Sequence, residues 1–250
     1  MKQTEYIFGI RPIEEALEQG REIEKIVFQK NLRGEASQKL MQAARSLEIP
    51  VQQVPLAAMN KITRKNHQGV IAYLSPITYQ DLDEIVIRCF EDGKDPLVLV
   101  LDHITDVRNM GAIARTAECA GVDVLVVPAR GGARISGDAI KTSAGALMSI
   151  PVHRSEDLVE TVKKLKNYGM QIVASTEKTE TDYTEGSYQG PLAIVTGSEE
   201  YGISSAILKI ADFNARIPLL GSIDSLNVSV ATGIILFEAL RQKRMAKEKS

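Results

Sequence analysis

The chain is poor in the residues on which small secreted folds and metal-built folds depend. Its 250 residues include two cysteines, Cys89 and Cys119, too few for a disulfide framework. Three histidines, His67, His103 and His153, lie far apart without the paired spacing that zinc needs, so no metal is expected. No apolar run reaches the roughly 18 residues of a membrane-spanning helix, which speaks against a membrane partner. The opening stretch from Met1 to Tyr6 lacks the apolar core of a secretory leader, and the expected location is the cytoplasm. Three catalytic signatures are also missing. There is no G-x-x-x-x-G-K-[ST] phosphate loop, no G-x-G-x-x-G opening a dinucleotide site after a strand, and no G-x-S-x-G nucleophile elbow.

What is present has globular proportions, with 44% hydrophobic and 25% charged residues. The net charge of -2 conceals an uneven distribution. Residues 1–79 carry 11 Lys and Arg against 8 Asp and Glu, or +3, whereas residues 80–250 carry 19 against 24, or -5. The basic front, with a further cluster of Arg241, Lys243, Arg244, Lys247 and Lys249 at the end, permits an anionic partner without requiring one.

Short apolar runs at 23–28 and 69–74 read as strands, and the patterns at 12–17 and 36–47 read as helices. Residues 1–79 are therefore expected to form a small α/β domain. The polar, broken stretch 80–95, ending in Glu91-Asp92-Gly93-Lys94-Asp95-Pro96, reads as a linker with a boundary near residue 95. Over 96–250, continuous Val/Leu/Ile runs at 97–101, 122–127, 171–174 and 192–195 suit strands covered on both faces, hence an α/β domain with a mostly parallel sheet. A final helix is expected from near Ser225. It carries Leu226, Val230, Ile234 and Phe237 on one face, which would pack on the sheet or on a second subunit.

Ligands of open α/β sheets bind beyond the carboxyl ends of the strands, and three segments placed there are unusual. The first holds Asn109-Met110-Gly111-Ala112-Ile113-Ala114-Arg115, with Asn109 suited to a helix start. Arg115 stands alone on a helix of small and apolar residues, which fits a surface salt bridge as well as a binding site. The second, Thr196-Gly197-Ser198-Glu199-Glu200-Tyr201-Gly202, has glycines flanking a carboxylate pair, which suits close ligand approach or an ordinary acidic helix cap. The third runs from Ile217-Pro218-Leu219 to Ser225-Leu226-Asn227-Val228-Ser229-Val230-Ala231. Capping explains one of Ser225, Asn227 and Ser229, not all three.

Together these segments resemble motifs 1, 2 and 3 of the SpoU/TrmH family of RNA 2'-O-ribose methyltransferases. The opening Tyr6-Ile7-Phe8-Gly9-Ile10-Arg11-Pro12-Ile13, the His67-Gln68-Gly69-Val70 segment and Ser143-Ala144-Gly145-Ala146 are similar to the branch that methylates a guanosine of 23S rRNA. One departure is Val107, where many members carry proline.

The resemblance implies a front RNA-binding domain like ribosomal protein L30e over 1–79. It further implies a SPOUT methyltransferase domain over 96–250 whose carboxyl-terminal segment forms a knot, S-adenosylmethionine as cofactor, and a homodimer. It places Arg115 at the ribose 2'-hydroxyl, as general base or as electrostatic stabiliser, with Asn109, Glu199, Asn227 and Ser229 arranging the site. Gly197, Ile217, Leu219, Leu226 and Ser225 would hold the cofactor. Arg11, Arg64, Lys65, His67, Gln68, Arg108, Arg130 and Arg134 are the candidate RNA contacts, each taken alone more readily a solvated surface group. The expected partner is 23S rRNA or a pre-ribosomal particle. A tRNA 2'-O-methyltransferase and a non-catalytic RNA-binding assembly factor remain the competing readings.

Overall fold

The computed structural model describes residues 6–47 and 49–248. Met1–Glu5, on which the leader expectation rests, and Lys249 of the basic cluster lie outside the described residues. The chain divides into two compact units, one built from the chain up to Thr78 together with Ile135–Gly137, the other from Tyr79–Arg134 and from Asp138 onward.

The front unit carries β1 (Tyr6–Phe8), α1 (Ile10–Glu18), β2 (Ile23–Gln29), α2 (Glu35–Ser46), β3 (Val51–Val54), α3 (Leu56–Ile62) and β4 (Val70–Leu74). Its strands align in the order β1-β4-β2-β3, antiparallel except for the β2–β3 pair. Alternation along β4 decides the two faces. Val70, Ala72 and Leu74 join Ile26, Phe28, Ile13 and Leu40 in the main core under α1 and α2, while Ile71 and Tyr73 turn to the other face with Val27 and Met59 of α3. The turn into β4 is tight, with Gln68 and Gly69 both left-handed at φ 50° and 75°. Glycine takes the Gly69 conformation without strain, and a Cβ there would press on a Leu32 methyl 2.6 Å away.

The rest of the chain carries α4 (Leu82–Glu91), β5 (Leu97–Asp102), α5 (Val107–Cys119), β6 (Val124–Pro128), α6 (Gly137–Thr142), β7 (Val152–Ser155), α7 (Leu158–Asn167), β8 (Gln171–Ser175), β9 (Leu192–Gly197), α8 (Ser205–Ile210), β10 (Phe213–Ala215) and α9 (Val228–Lys247). The strands form a sheet in the order β10-β8-β9-β5-β6-β7, parallel at every pairing. β5 is buried along its whole length, as its uninterrupted apolar run requires of a strand covered on both faces.

Two expectations need correction. Residues 80–95 are not a linker: Asp81 caps α4 through the backbone N–H groups of Asp83 and Glu84, and Leu82, Ile85, Val86 and Cys89 sit at helical spacing against the sheet. The break between units falls after Thr78, not near residue 95. The final helix starts at Val228 rather than near Ser225, with Asn227 as its cap, and it is apolar on two sides. Val228, Ile235, Leu236 and Ala239 face inward, whereas Val230 and Phe237 of the expected face remain about half exposed, at 51% and 48%.

Candidate active site

Parallel pairing brings the carboxyl ends of β8, β9 and β5 to one edge of the sheet, with Asp102 opposite Gly197 and Ser175 opposite Thr196. Each of the three unusual segments leaves from that edge or returns to it. After β9 the chain reverses within a few residues: Gly202 N–H donates to the Ser198 carbonyl at 2.8 Å, and Tyr201 N–H donates to Ser198 Oγ at 3.0 Å. The reversal brings two backbones together so closely that a Cβ on Gly197 would lie 2.2 Å from the carbonyl carbon of Gly202.

The turn projects Glu199 to the amino end of α9. Its Oε1 accepts from Asn227 Nδ2 at 2.7 Å and from Val228 N–H at 3.0 Å. Asn227 Nδ2 also donates to Asn109 Oδ1 at 3.0 Å, and Asn227 Oδ1 accepts from the backbone N–H and the hydroxyl of Ser229. Asn109, Glu199, Asn227 and Ser229, drawn from three segments more than 100 residues apart at their extremes, thus form one network. The Glu199 carboxylate and the Asn227 amide oxygen accept from orphan N–H groups of the α9 amino terminus, a place that favours negative charge, while the Ser229 hydroxyl donates back to that amide oxygen. Below them, the buried Thr196 and Thr232 hydroxyls are linked at 3.0 Å, pinning α9 to β9.

Beside this network lies a cavity of about 340 Å³, within the range of small-molecule sites. Gly197, Ile217, Leu219, Ser225 and Leu226, the residues expected to hold a cofactor, all line it, as does Glu199. Its wall combines aliphatic groups (Ile217, Leu219, Leu226, Ala231) with the carboxylates of Glu177, Glu199, Glu200 and Asp224, against which Lys178 is the cation. A flat ring can lie between the aliphatic groups while strand-end backbone reads its edge, and the carboxylate excess suits a ligand carrying positive charge. The hydrogen bond from Tyr201 to Glu200 holds that phenol proton above the ordinary range.

Arg115 does not join the network. It projects from α5 exposed, and it has no hydrogen bond or ion pair with any described residue, so its donors are free to meet a group from outside. The cap of α5 is also a correction: Asp106, not Asn109, accepts from the N–H groups of Arg108 and Asn109, leaving the Asn109 side chain for Asn227.

The expected RNA contacts divide between the units. Arg11, Arg64 and Lys65 are exposed in the front unit, and Arg108 and Arg130 are exposed in the second, where Arg134 is half-buried. His67 must be withdrawn as a surface contact. It is 7% exposed; its Nδ1 accepts from Gly69 N–H at 3.0 Å, and its Nε2 lies 3.2 Å from Asn60 Oδ1. Gln68 keeps an exposed side chain, but its Oε1 accepts from Ile10 N–H at the start of α1, where Gly9 has no side chain to cap with.

The sequence reading missed the Asp102–His103 pair. Buried Asp102 accepts from Ser204 N–H at 2.8 Å and pairs with His103 Nδ1 at 2.6 Å, fixing the rim where the His103 ring faces Tyr201 at 6.3 Å. A carboxylate closing the otherwise apolar run Leu97-Val98-Leu99-Val100-Leu101 was the available signal. Thr176, Lys178 and Asp224 were missed as well, because the loops that carry them have no distinctive spacing. Among the described residues, no group of three His, Cys, Asp or Glu is placed to hold a metal, and no helix is long and apolar enough to cross a membrane.

Residues 96–237 match the SpoU rRNA Methylase family, and residues 6–80 match the domain described as RNA 2'-O ribose methyltransferase substrate binding. A protein of Staphylococcus saprophyticus assigned to the TrmH family of tRNA/rRNA methyltransferases is 35% identical over 244 residues, 98% of each chain. An AdoMet-bound rRNA methyltransferase from Sinorhizobium meliloti has a TM-score of 0.61 at 26% identity, covering 94% of this chain and 86% of its own. The TrmH/SpoU tRNA modifying enzyme of A. aeolicus, at 33% identity and a TM-score of 0.56, covers 67% of this chain and 86% of its own.

Proposed function

We propose that the chain, which belongs to the SpoU rRNA methylase family and is an S-adenosylmethionine-dependent RNA 2'-O-methyltransferase, modifies a guanosine of 23S rRNA and works as a homodimer. The observation that carries the reading is the network joining Asn109, Glu199, Asn227 and Ser229 at the mouth of the cavity. A bound S-adenosylmethionine supplies a sulfonium methyl, which needs no further activation. The protein's task is then to orient the partners and to manage the hydroxyl proton.

The residues present suit that cofactor. It carries a net positive charge, and the cavity wall is rich in carboxylates. The close Gly197–Gly202 approach leaves backbone rather than side chain beside the wall formed by Ile217, Leu219, Ser225 and Leu226. Glu199 and Asn227 hold the α9 amino end rigid against Asn109, keeping the mouth in one geometry. Arg115 offers five N–H donors and no acceptor, which favours holding a phosphate or a developing alkoxide over accepting a proton.

The stretch from Arg216 to Asn227, which lines the cavity without regular structure between β10 and α9, is the segment we assign to the knot. The front unit, L30e-like in this reading, would deliver the RNA. That unit also favours rRNA over tRNA: the rRNA enzyme of S. meliloti aligns with nearly the whole chain, the tRNA enzyme of A. aeolicus with two thirds.

The test is incubation with methyl-labelled S-adenosylmethionine and separate pools of unmodified 23S rRNA, 16S rRNA and tRNA, followed by nuclease mapping of the label. Label at a 23S guanosine 2'-oxygen is the expected result. Label confined to tRNA keeps the chemistry and overturns the substrate. Cofactor binding without label on any RNA, pre-ribosomal particles included, favours a binding factor.

A further inference from the structure

The second face of the front sheet is only partly covered. Tyr6 of β1 pairs with Tyr73 of β4, and Tyr73 pairs with Lys25 of β2, so the three side chains form one row across three strands. The Tyr6 and Tyr73 ring centroids are 6.2 Å apart, and Phe8, two residues along β1, is 6.3 Å from Tyr6. α3 covers the neighbouring row, placing Met59 against Val27 and Ile71. The aromatic rings pack along the edge of that cluster, and Tyr6 Oη donates to the Ile62 carbonyl of α3 at 3.3 Å. Beyond that row all three rings remain half-buried.

Two ammonium groups lie over the partly exposed rings. Lys25 Nζ is 4.7 Å from the Tyr73 centroid, and Lys65 Nζ is 6.0 Å from that of Phe8, with exposed Arg64 beside it. A purely structural cluster would close its rings under aliphatic groups. Flexible cations over aromatic faces instead leave a surface that is apolar, positively charged and easily uncovered. The front residues carry +3 overall, complementary to a polyanion. Burial, then Tyr6, then the Glu24 carboxylate push the Tyr73 phenol above its ordinary range.

We infer that this face is a stacking site for an unpaired RNA base, with Tyr73 as the platform and Lys25 and Lys65 as its phosphate contacts. The inference rests on the reading that RNA is the substrate. Base faces are accessible only outside a duplex, and sequence-tolerant stacking on aromatic rings beside cations is how single strands are held. Seating a base moves Lys25 Nζ off the ring and toward the adjoining phosphate, so one side chain serves as cover in the free protein and as contact in the complex.

The full chain is titrated with a fluorescein-labelled oligouridine of about 12 nucleotides and with an adenosine–uridine duplex of the same length. The parent is expected to prefer the single strand. Tyr73→Leu should weaken single-strand binding about 5- to 50-fold, with Tyr73→Phe close to the parent. Lys25→Gln should reduce the salt slope by about 0.7. Melting temperature and S-adenosylmethionine binding should match the parent in all three. Tyr73→Leu binding RNA like the parent, or a parent that prefers the duplex, overturns the stacking site alone. A Tyr73→Leu variant of altered sedimentation mass with unchanged RNA affinity assigns the face to a second copy and also overturns it. A parent that binds cofactor but no RNA overturns the substrate reading as well.

Discussion

Gly197 and Arg115 stand for two different demands on single positions. Gly197 has a backbone neighbour where a Cβ would go, 2.2 Å from Gly202, and backbone cannot step aside as a flexible side chain can. Gly197→Ala should therefore open the 198–202 reversal, shift Glu199 away from Asn227, and weaken S-adenosylmethionine binding at least about tenfold, with a loss of about 1–3 kcal/mol in stability. Calorimetric titration and thermal melting check both. Arg115 makes the opposite demand, because no described residue depends on its charge. Arg115→Ala should leave the melting temperature within about 2 °C of the parent. It should leave cofactor affinity unchanged and reduce methyl transfer by about 10²-fold or more. Equal losses of binding and turnover would remove Arg115 from the reacting end of the site.

Elements were legible where their residues allowed one reading. The continuous apolar runs of β5 and β9 suit strands buried on both faces, and both strands are buried along nearly their whole length. α4 was illegible because Asp83, Glu84, Arg88 and Glu91 interleave with its buried positions, and a Gly and a Pro follow closely. The site shows the same division. The residue types in the three segments announced a polar site, but spacing could not choose between Asp106 and Asn109 as the α5 cap, nor among Ser225, Asn227 and Ser229 as the α9 cap. Those choices depend on which partner lies across the fold. His67 was misread for the same reason, since its burial follows from a left-handed turn that alternation does not encode.

α9 also carries a titratable device that no pattern suggested. Bonds from Arg241 hold the Glu238 carboxyl below its usual range, opposed by burial and aided by Gln242. A carboxylate with a depressed folded pKa contributes stability that is present above its ordinary value and is lost as pH falls through the folded one. Glu238→Gln should thus lower the melting temperature by about 2–4 °C near pH 7, and the difference from the parent should shrink between about pH 5 and pH 3. A pH-independent difference would mean that packing, not the ion pair, sets the cost.

At the scale of the whole molecule, the outward face of α9 asks for a partner. Val230, Phe237 and Met245 are 51%, 48% and 44% exposed. With Ile234 they recur at helical spacing on the far side of the helix from its buried face, interrupted by Arg241 between Phe237 and Met245. Single exposed hydrophobics need no explanation, but a stripe along a long helix is the kind of surface the proposed homodimer would use. The amino end of that helix carries Asn227 and Ser229, so a copy docked on the stripe would lie along the element that anchors the site. Phe237→Glu should bury an unpaired charge in that interface and cost about 3–5 kcal/mol of association. In sedimentation velocity the parent should run as a dimer and the variant as a monomer. Methyl transfer should fall with the loss of the dimer, while the melting temperature at matched low concentration changes little. A variant that is monomeric yet fully active would show that one chain completes the site, and a parent that is monomeric throughout would leave the stripe to another partner.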